Sequence, residues 1–317
     1  MENEQILQKI QICRPVAISL LLCYTFSRKA AFFSVSIRAA EGSFFMSISA
    51  DYHLHSSFSG DSDAPMESMI QKGMELGLAR MCFTEHMDFE FPVSDISPAG
   101  IFEVNLDSYL YDLLTYREKY RDRIRILFGL ELGLQAHLAP LQAACAASKP
   151  FDFIIGSSHL CAGKDPYQPY FWEGRSEEEA LREYFSSIIE NLETFTDFDI
   201  YGHLDYVVRY APQQDKDYCY EKYADLFEHI LDLLLENGIG LEINTGGLGY
   251  GLREANPCAA ILRRYREKGG EIITVGSDAH RPQDLCRFFG RAEEILKDCG
   301  FRYYTVFENR TPYFEKL

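Results

Sequence analysis

The sequence lacks the paired cysteines that mark disulfide-rich proteins. Its nine cysteines are an odd number, scattered over 317 residues, and no two of them form a CxxC pair. Disulfides are therefore not expected, and a reducing, cytoplasmic compartment fits the chain better. Several of these thiols, such as Cys82 and Cys258, have apolar neighbours in the sequence, which is typical of structural cysteines.

Basic residues are also much fewer than acidic residues. The chain has 31 lysines and arginines against 48 acidic residues, which gives a formal net charge of -17. Non-specific binding to nucleic acid or to an anionic membrane needs a basic face, so neither partner is expected. If the substrate carries a phosphate, its attraction must come from a local group of charges.

No apolar run is long enough to predict a membrane helix. Residues 16–26 are apolar, but a transmembrane helix needs about 20 such residues. No convincing small-residue cleavage site follows this run, so it resembles a signal peptide only weakly. Because Met46 lies just before the first predicted strand, we expect residues 1–45 to be an N-terminal extension, either dispensable or the product of a wrongly chosen start. Residues 46–317 are then the catalytic domain.

From Met46 onward, strand and helix signals alternate along the chain. After a first strand near residue 51, the predicted strands are 80–84, 126–131, 153–157, 200–202, 240–244, 271–275 and 303–306. The predicted helices include 107–120, 176–192, 220–236, 257–268 and 283–297, and a further helix begins at Pro65. Seven or eight repeats of this alternation favour a closed parallel barrel over an open sheet.

Six of the eight histidines lie beside carboxylates in segments that each read as the end of a strand. They are His53, His55, His86, His159, His203 and His280. Barrel enzymes carry their chemistry at the carboxyl ends of the strands, so the ligand pattern and the barrel prediction support each other. The longer connections at 87–105 and 160–175 are expected to form lids or specificity loops.

The residue types indicate a polynuclear metal site. His53 and His55 are two apart in a strand, so both imidazoles point to one side and can reach one ion. Imidazole and carboxylate without thiolate suit zinc, manganese or iron. A carboxylate such as Glu131 can bridge two ions, and a pair or trio of ions suits phosphoester hydrolysis.

Taken together, these segments resemble the PHP (polymerase and histidinol phosphatase) superfamily, and more closely its histidinol-phosphatase branch. The resemblance covers about residues 49–306. Its marks are Asp51-Tyr52-His53-Leu54-His55-Ser56, Ser59-Gly60-Asp61, Thr84-Glu85-His86, Gly129-Leu130-Glu131, Gly156-Ser157-Ser158-His159, Gly202-His203-Leu204-Asp205, Leu241-Glu242-Ile243-Asn244-Thr245-Gly246 and Gly276-Ser277-Asp278-Ala279-His280. The resemblance implies a distorted (β/α)7 barrel, similar to a TIM barrel, with two to three divalent metal ions.

The resemblance also implies which residues hold each ion. One ion would be held by His53, His55, Glu131 and Asp278; a second by Glu131, His159 and His203; a third by Asp61, His86 and His280. Many family members have histidine at the position of Asp61, and there this sequence departs from the pattern. The implied mechanism is attack of a metal-bridging hydroxide on phosphorus, with Glu131 and Asp278 as bridging or activating carboxylates.

The substrate is less closely defined. Arg175, Arg209 and Arg253 lie in the connections after the fourth, fifth and sixth strands and are candidates for phosphate binding, while Glu85 could orient a ligand, bind a substrate amine or have a purely structural role. The resemblance favours hydrolysis of L-histidinol phosphate, a small phosphate ester. Other PHP-type activities on nucleotide or sugar phosphates, and a metal-binding protein without turnover, remain as alternatives. The sequence determines neither the native metal nor the oligomeric state.

Overall fold

The computed structural model describes residues 47–317, and the expectation about residues 1–45 lies outside this range. Its main sheet has seven parallel strands that follow one another in chain order, and a separate antiparallel pair comes last. The strands are β1 (Ala50–Leu54), β2 (Arg80–Met87), β3 (Arg125–Gly133), β4 (Phe153–Ser157), β5 (Ile200–Tyr201), β6 (Gly240–Asn244), β7 (Ile273–Gly276), β8 (Tyr303–Glu308) and β9 (Thr311–Lys316).

The seven-stranded sheet curls until its first and last strands meet. Leu54 and Ala279 form a parallel bridge, and the backbone N–H of His55 donates to the carbonyl of Ala279 at 2.9 Å. The N–H of Asp278 donates in turn to the carbonyl of His53 at 2.8 Å. These bonds nearly close the barrel, and the prediction of a TIM-like (β/α)7 fold is confirmed.

Helices connect the strands and cover the outside of the barrel. The helices are α1 (Met66–Leu76), α2 (Leu106–Lys119), α3 (Ala139–Ala146), α4 (Glu177–Thr194), α5 (Ala224–Glu236), α6 (Gly246–Gly249), α7 (Ala259–Glu267) and α8 (Phe289–Asp298). The Ser176 and Glu179 side chains form the expected capping box at the start of α4. None of the helices described by the structure is long and apolar enough to cross a membrane.

Two predicted elements differ from the structure. The predicted strand at 303–306 does form, as part of β8, but it pairs with β9 in a hairpin outside the barrel. The predicted helix at 283–297 begins only at Phe289, because the residues before it leave the helical region: Cys286 and Phe288 have φ of 55° and 65°. Hydrophobic patterns indicate that an element exists, but they specify neither its pairing partner nor its first residue.

The β8–β9 hairpin packs against the amino-terminal side of the barrel strands. The ring of Phe307 lies 5.0 Å from that of Phe153, which in turn contacts Tyr52 edge-on at 5.2 Å. The Tyr52 hydroxyl donates to the carbonyl of Phe307 at 2.8 Å. This packing leaves the carboxyl ends of the strands as the open end of the barrel.

Candidate metal centre

The carboxyl ends of six barrel strands bring the expected metal ligands together. His53, His86 and Glu131 lie within β1, β2 and β3, Asp61 lies in the loop between β1 and α1, and the others come within four residues after their strands. Most of them are buried, but the side chain of Asp61 is 42% exposed and that of His280 is 25% exposed. The structure therefore gathers residues that are up to 227 positions apart in the sequence, from His53 to His280.

Glu131 lies at the centre of this cluster. One oxygen, Oε2, lies near three imidazoles: it is 3.2 Å from His53 Nε2, 3.5 Å from His55 Nε2 and 3.1 Å from His86 Nδ1. The other, Oε1, lies 3.2 Å from His159 Nε2 and 2.9 Å from His203 Nε2. Burial raises the pKa of Glu131, but the charges of the surrounding imidazoles outweigh it and hold this pKa well below its usual range. A carboxylate between two groups of imidazoles can bridge two metal ions.

Four groups of three donors have ligand atoms within 4.8 Å of one another. They are His53, His55 and Asp278; His53, Glu131 and His203; His86, Glu131 and His159; and His55, His86 and His280. Asp61 completes the outer edge, with Oδ2 at 3.2 Å from His280 Nε2 and 3.5 Å from His86 Nε2. The geometry is compatible with the three expected ligand sets, and the assignment of each residue to one ion stays a prediction.

Unpaired polar atoms indicate that this cluster fits metal ions. Among the described residues, seven buried side-chain N or O atoms have no partner in hydrogen-bond geometry, and six of them belong to the cluster, although four of the six are nitrogens that lie 3.1–3.5 Å from a carboxylate oxygen. The six are His53 Nε2, His55 Nε2, His86 Nδ1, Glu131 Oε2, His203 Nδ1 and His280 Nε2. Buried polar groups are nearly always paired in folded proteins, so a concentration of unpaired imidazole and carboxylate atoms is the donor set of a cation site.

A second layer of side chains holds the imidazoles in place. Glu242 accepts from His53 Nδ1 at 2.8 Å and from the backbone N–H of His203 at 2.9 Å. Gly276 permits this arrangement, because a Cβ there would lie 2.1 Å from Glu242 Oε1 and 2.4 Å from His53 Cβ. Carboxylates that fix the second nitrogen of a histidine are typical of metal sites.

Asp88 has the same role for His159, and the sequence analysis missed it. Its Oδ1 lies 2.7 Å from His159 Nδ1, and its Oδ2 lies 3.4 Å from His86 Nδ1. A Cβ on Gly133 would come within 2.0 Å of this carboxylate, so glycine makes room for it. The signal was available: Asp88 follows His86 by two residues, the spacing at which side chains of a strand share a face.

Glu85 lies below the cluster and does not line the cavity above it. Its carboxylate accepts hydrogen bonds from the hydroxyls of Ser56 at 2.5 Å and Ser59 at 2.6 Å. Ser59 Oγ lies 3.0 Å from His55 Nδ1, so Glu85 reaches a ligand through a serine. Burial raises the pKa of Glu85 to about 7, although the serine hydrogen bonds lower it. This environment is compatible with the ligand-orienting role, because the carboxylate does not line the cavity, and the role of Glu85 stays a prediction.

The three candidate arginines have different environments. Arg209 is buried beside the cluster, where it donates to Asp278 Oδ2 at 2.8 Å and to the side-chain oxygens of Asn244 and Asn256, and it lines the cavity. Arg175 donates to the carbonyl of its own loop residue Phe171, and the side chain of Arg253 is 65% exposed beside Asp215. The structure therefore brings only Arg209 of the three to the cavity.

A cavity of about 300 Å³ lies directly above the metal-ligand cluster. The two long connections expected to act as lids both contribute to it, through Phe91 and Phe102 from one and Asp165 and Tyr167 from the other. The cavity is closed on a further side by Tyr210, whose ring lies 5.4 Å from that of Tyr167. The volume suits a small molecule, and its floor consists of the candidate metal-ligand side chains.

The sequence of the chain also matches a known protein family. A family model described as the PHP domain matches residues 51–246. The chain belongs to the PHP domain family.

Individual proteins that are similar to this chain indicate the branch of the family. A histidinol-phosphatase of Lactococcus lactis subsp. lactis is 32% identical over 258 residues, covering 81% of this chain and 93% of the relative. A histidinol-phosphatase of Bacillus subtilis is 25% identical over 267 residues, covering 74% and 94%. The resemblance to the histidinol-phosphatase branch is therefore confirmed.

Solved structures agree with this placement. The crystal structure of a Lactococcus lactis histidinol phosphate phosphatase, complexed with zinc, L-histidinol and phosphate, matches with a TM-score of 0.75 at 30% identity. The match covers 84% of this chain and 98% of that one. A putative histidinol phosphatase from Listeria monocytogenes, at 20% identity and a TM-score of 0.66, shares the fold over 76% of this chain and 99% of its own.

Proposed function

We propose that this protein is a metal-dependent phosphomonoesterase that hydrolyses L-histidinol phosphate to L-histidinol and phosphate. The observation that carries the proposal is the buried Glu131 carboxylate surrounded by five imidazoles, with unpaired donor atoms, beneath a small cavity. The histidinol-phosphatase relatives, and zinc, L-histidinol and phosphate in the similar crystal structure, support the reaction and the substrate.

The proposed cofactor is two or three divalent ions of zinc, manganese or iron. The ligands would be His53, His55, Asp61, His86, Glu131, His159, His203, Asp278 and His280, in the three sets given above. When bound, such ions supply positive charge for the phosphate oxygens and lower the pKa of a coordinated water to about 7. Imidazole and carboxylate suit all three metals, and zinc has the additional support of the similar structure.

The protein's own groups complete the phosphate site. Arg209 is the one lysine or arginine among the described residues that line the cavity. Its bonds to Asp278, Asn244 and Asn256 hold the guanidinium in one orientation, so little side-chain entropy is lost when it binds an anion. Asp278 also has a φ of 57°, and such backbone strain is common at functional sites.

The first experiment is steady-state phosphate release from L-histidinol phosphate, measured beside nucleotide and sugar phosphates. The protein is reconstituted separately with manganese, zinc and iron, and a chelated sample serves as the control. We expect a strong preference for L-histidinol phosphate that chelation abolishes. Activity confined to a nucleotide or sugar phosphate would indicate a PHP-type phosphoesterase with that other substrate. Metal binding without any hydrolysis would indicate a non-catalytic metal protein.

We also propose that residues 46–317 are sufficient for this activity and act in the cytoplasm. The family match and the Lactococcus relative, which is matched over 93% of its length, support the domain boundary. The seven cysteines among residues 47–317 are all free, which agrees with a reducing compartment. A chain that begins at Met46 should retain the activity of the full chain; loss of folding or of turnover would contradict the boundary.

A further inference from the structure

Four aspartates line the cavity above the metal-ligand cluster, and three of them lie within 4.0 Å of a basic side-chain nitrogen. Asp61 faces His86 and His280, Asp88 faces His159, and Asp278 faces Arg209. Asp165 is the exception. Within residues 47–317 it has no lysine, arginine or histidine nitrogen within 4.0 Å.

Asp165 is nevertheless almost completely buried, with 7% of its surface exposed. It lies in the connection that follows β4, six residues after His159, and it is one of the cavity-lining residues. Burial raises its pKa, while the backbone hydrogen bond from Tyr167 and the charge of His159 lower it. Burying a carboxylate without a cation is unfavourable, so a ligand cation in the cavity would compensate it.

The local structure of the loop does not require the negative charge. Asp165 Oδ1 accepts from the backbone N–H of Tyr167 at 2.8 Å, and the backbone carbonyl of Asp165 accepts from the N–H of Gln168 at 3.0 Å. An asparagine side chain has the same shape and the same oxygen acceptor, so it would keep the contact with Tyr167. The bond from Gln168 to the backbone carbonyl does not depend on the side chain, and the Gln168 side chain, which also hydrogen-bonds Asp165, is an amide that can pair with a carboxylate or with another amide. None of these contacts requires the negative charge.

The surroundings of Asp165 suit an organic cation. Tyr167 and Tyr210 line the same cavity in edge-to-face contact, and aromatic rings attract cations at close range. Arg209 and the metal ligands supply the positive groups of the cavity, which suit a phosphate. A phosphate monoester that also carries an ammonium group would therefore meet opposite charges for both of its ends.

We propose that Asp165 binds the ammonium group of the substrate and makes the enzyme selective for amino-alcohol phosphates. This inference rests on the proposed function, because it names the group that distinguishes L-histidinol phosphate from neutral esters. The ammonium is the relevant cation, since near pH 7.5 an imidazole with a pKa of about 6.5 is mostly uncharged while an alkylamine is still mostly protonated.

The test compares each ammonium ester with its analogue that lacks the amine. The metal-loaded full chain and its Asp165→Asn variant are assayed on L-histidinol phosphate and its des-amino analogue, and on 2-aminoethyl phosphate and ethyl phosphate. We expect Asp165→Asn to lower kcat/KM for the ammonium esters by about 10- to 100-fold, mainly through KM, because a charged hydrogen bond is lost. For the des-amino esters we expect a change of less than about threefold.

Glu173→Gln is the matched control, since Glu173 lies exposed on the same connection and outside the cavity. It removes one negative charge from the same loop and should alter neither ratio. Equal values of the ammonium-to-des-amino ratio in wild type and Asp165→Asn would overturn the inference. A wild type that prefers a nucleotide or sugar phosphate would instead overturn the proposed function, while the 2-aminoethyl and ethyl pair would still decide the role of Asp165.

Discussion

The two ends of the barrel differ in how completely their polar groups are paired. At the amino-terminal side, Tyr52 donates to Phe307, Arg125 pairs with Glu308 at 3.0 Å, and Arg80 pairs with Glu315 on the hairpin. At the carboxyl-terminal end, six buried imidazole and carboxylate atoms have no hydrogen-bond partner. Arg117 Nε is the one buried unpaired atom outside the cluster among residues 47–317, so the amino-terminal side pairs nearly all of its polar groups internally, whereas the carboxyl-terminal end presents a group of unpaired donor atoms.

This difference separates stability from function within one fold. Packing and satisfied hydrogen bonds at the amino-terminal side contribute to the free energy of unfolding whether or not metal is present. At the carboxyl-terminal end, the buried imidazoles lie close to one another instead. Burial and the neighbouring His280 and His86 hold the pKa of His55 well below its usual range. Substitutions at the two ends should therefore have separable effects, on activity at one and on stability at the other.

The largest effect should come from Asp278→Asn. The change keeps the shape of the side chain but removes the charge that faces His53, His55 and Arg209. We expect kcat to fall by about 1,000-fold, since a charged ligand to a catalytic ion contributes several kcal/mol to transition-state stabilisation. The measurement is turnover together with metal content, and unchanged turnover per bound metal ion would refute the assignment.

Phe307→Ala tests the opposite end. Phe307 is 2% exposed and contacts Phe153 beneath the barrel. Its truncation should lower the free energy of unfolding by about 3–5 kcal/mol through lost burial and a cavity. A urea titration measures this loss, and kcat of the folded fraction should stay within about twofold of wild type. A large fall in kcat at unchanged stability would show that the two ends are not separable.

Asp88→Asn should have an intermediate effect on function. The amide can still contact His159 Nδ1 but no longer provides the charge that orients the ring. We expect metal affinity or kcat/KM to fall by about 10- to 100-fold, as for other residues that support a metal ligand. Metal titration against a competing chelator measures the affinity. Glu90→Gln is the control, because Glu90 is exposed and contacts only His137 among the described residues; an equal loss in both variants would argue against a specific role for Asp88.

The smallest of these effects is expected at Asp61, which lies at the exposed edge of the cluster. Asp61→Asn should reduce activity by about tenfold through weaker binding of one ion. Asp61→His should retain more activity, because an imidazole can also bind a divalent ion. Metal stoichiometry of the two variants checks the result. Identical metal content and activity in Asp61→Asn and wild type would remove Asp61 from the ligand set.

Much of this fold was predictable because strand and ligand signals occur together. The strands at 153–157 and 240–244 have the predicted bounds, since short apolar runs ended by turn residues define them locally. The six histidines lie together as expected, because parallel strands in a barrel all end at the same side. The supporting carboxylates were harder to assign. Glu242 was part of a recognised segment without a role, and its contact with His53 spans 189 positions in the sequence.

The three candidate arginines show what the sequence alone could not predict. In the sequence, Arg175, Arg209 and Arg253 are equivalent candidates, each lying in a connection that follows a predicted strand. In the structure, the environment of Arg209 is formed by Asn244, Asn256 and Asp278, three residues from two other strand ends. No local pattern encodes such a convergence, because it depends on how distant segments meet.

The sequence by itself determined the class of fold and named the candidate metal ligands that the fold brings together, since alternating periodicity and strand-end histidines are local properties of the chain. Tertiary structure alone decided which charges remain unpaired: it gave partners to Asp61, Asp88 and Asp278, left Asp165 without a cation among the described residues, and placed the β8–β9 hairpin outside the barrel. The physical reason is that burial and electrostatic pairing act through space, between side chains whose separation in the sequence carries no information about their distance.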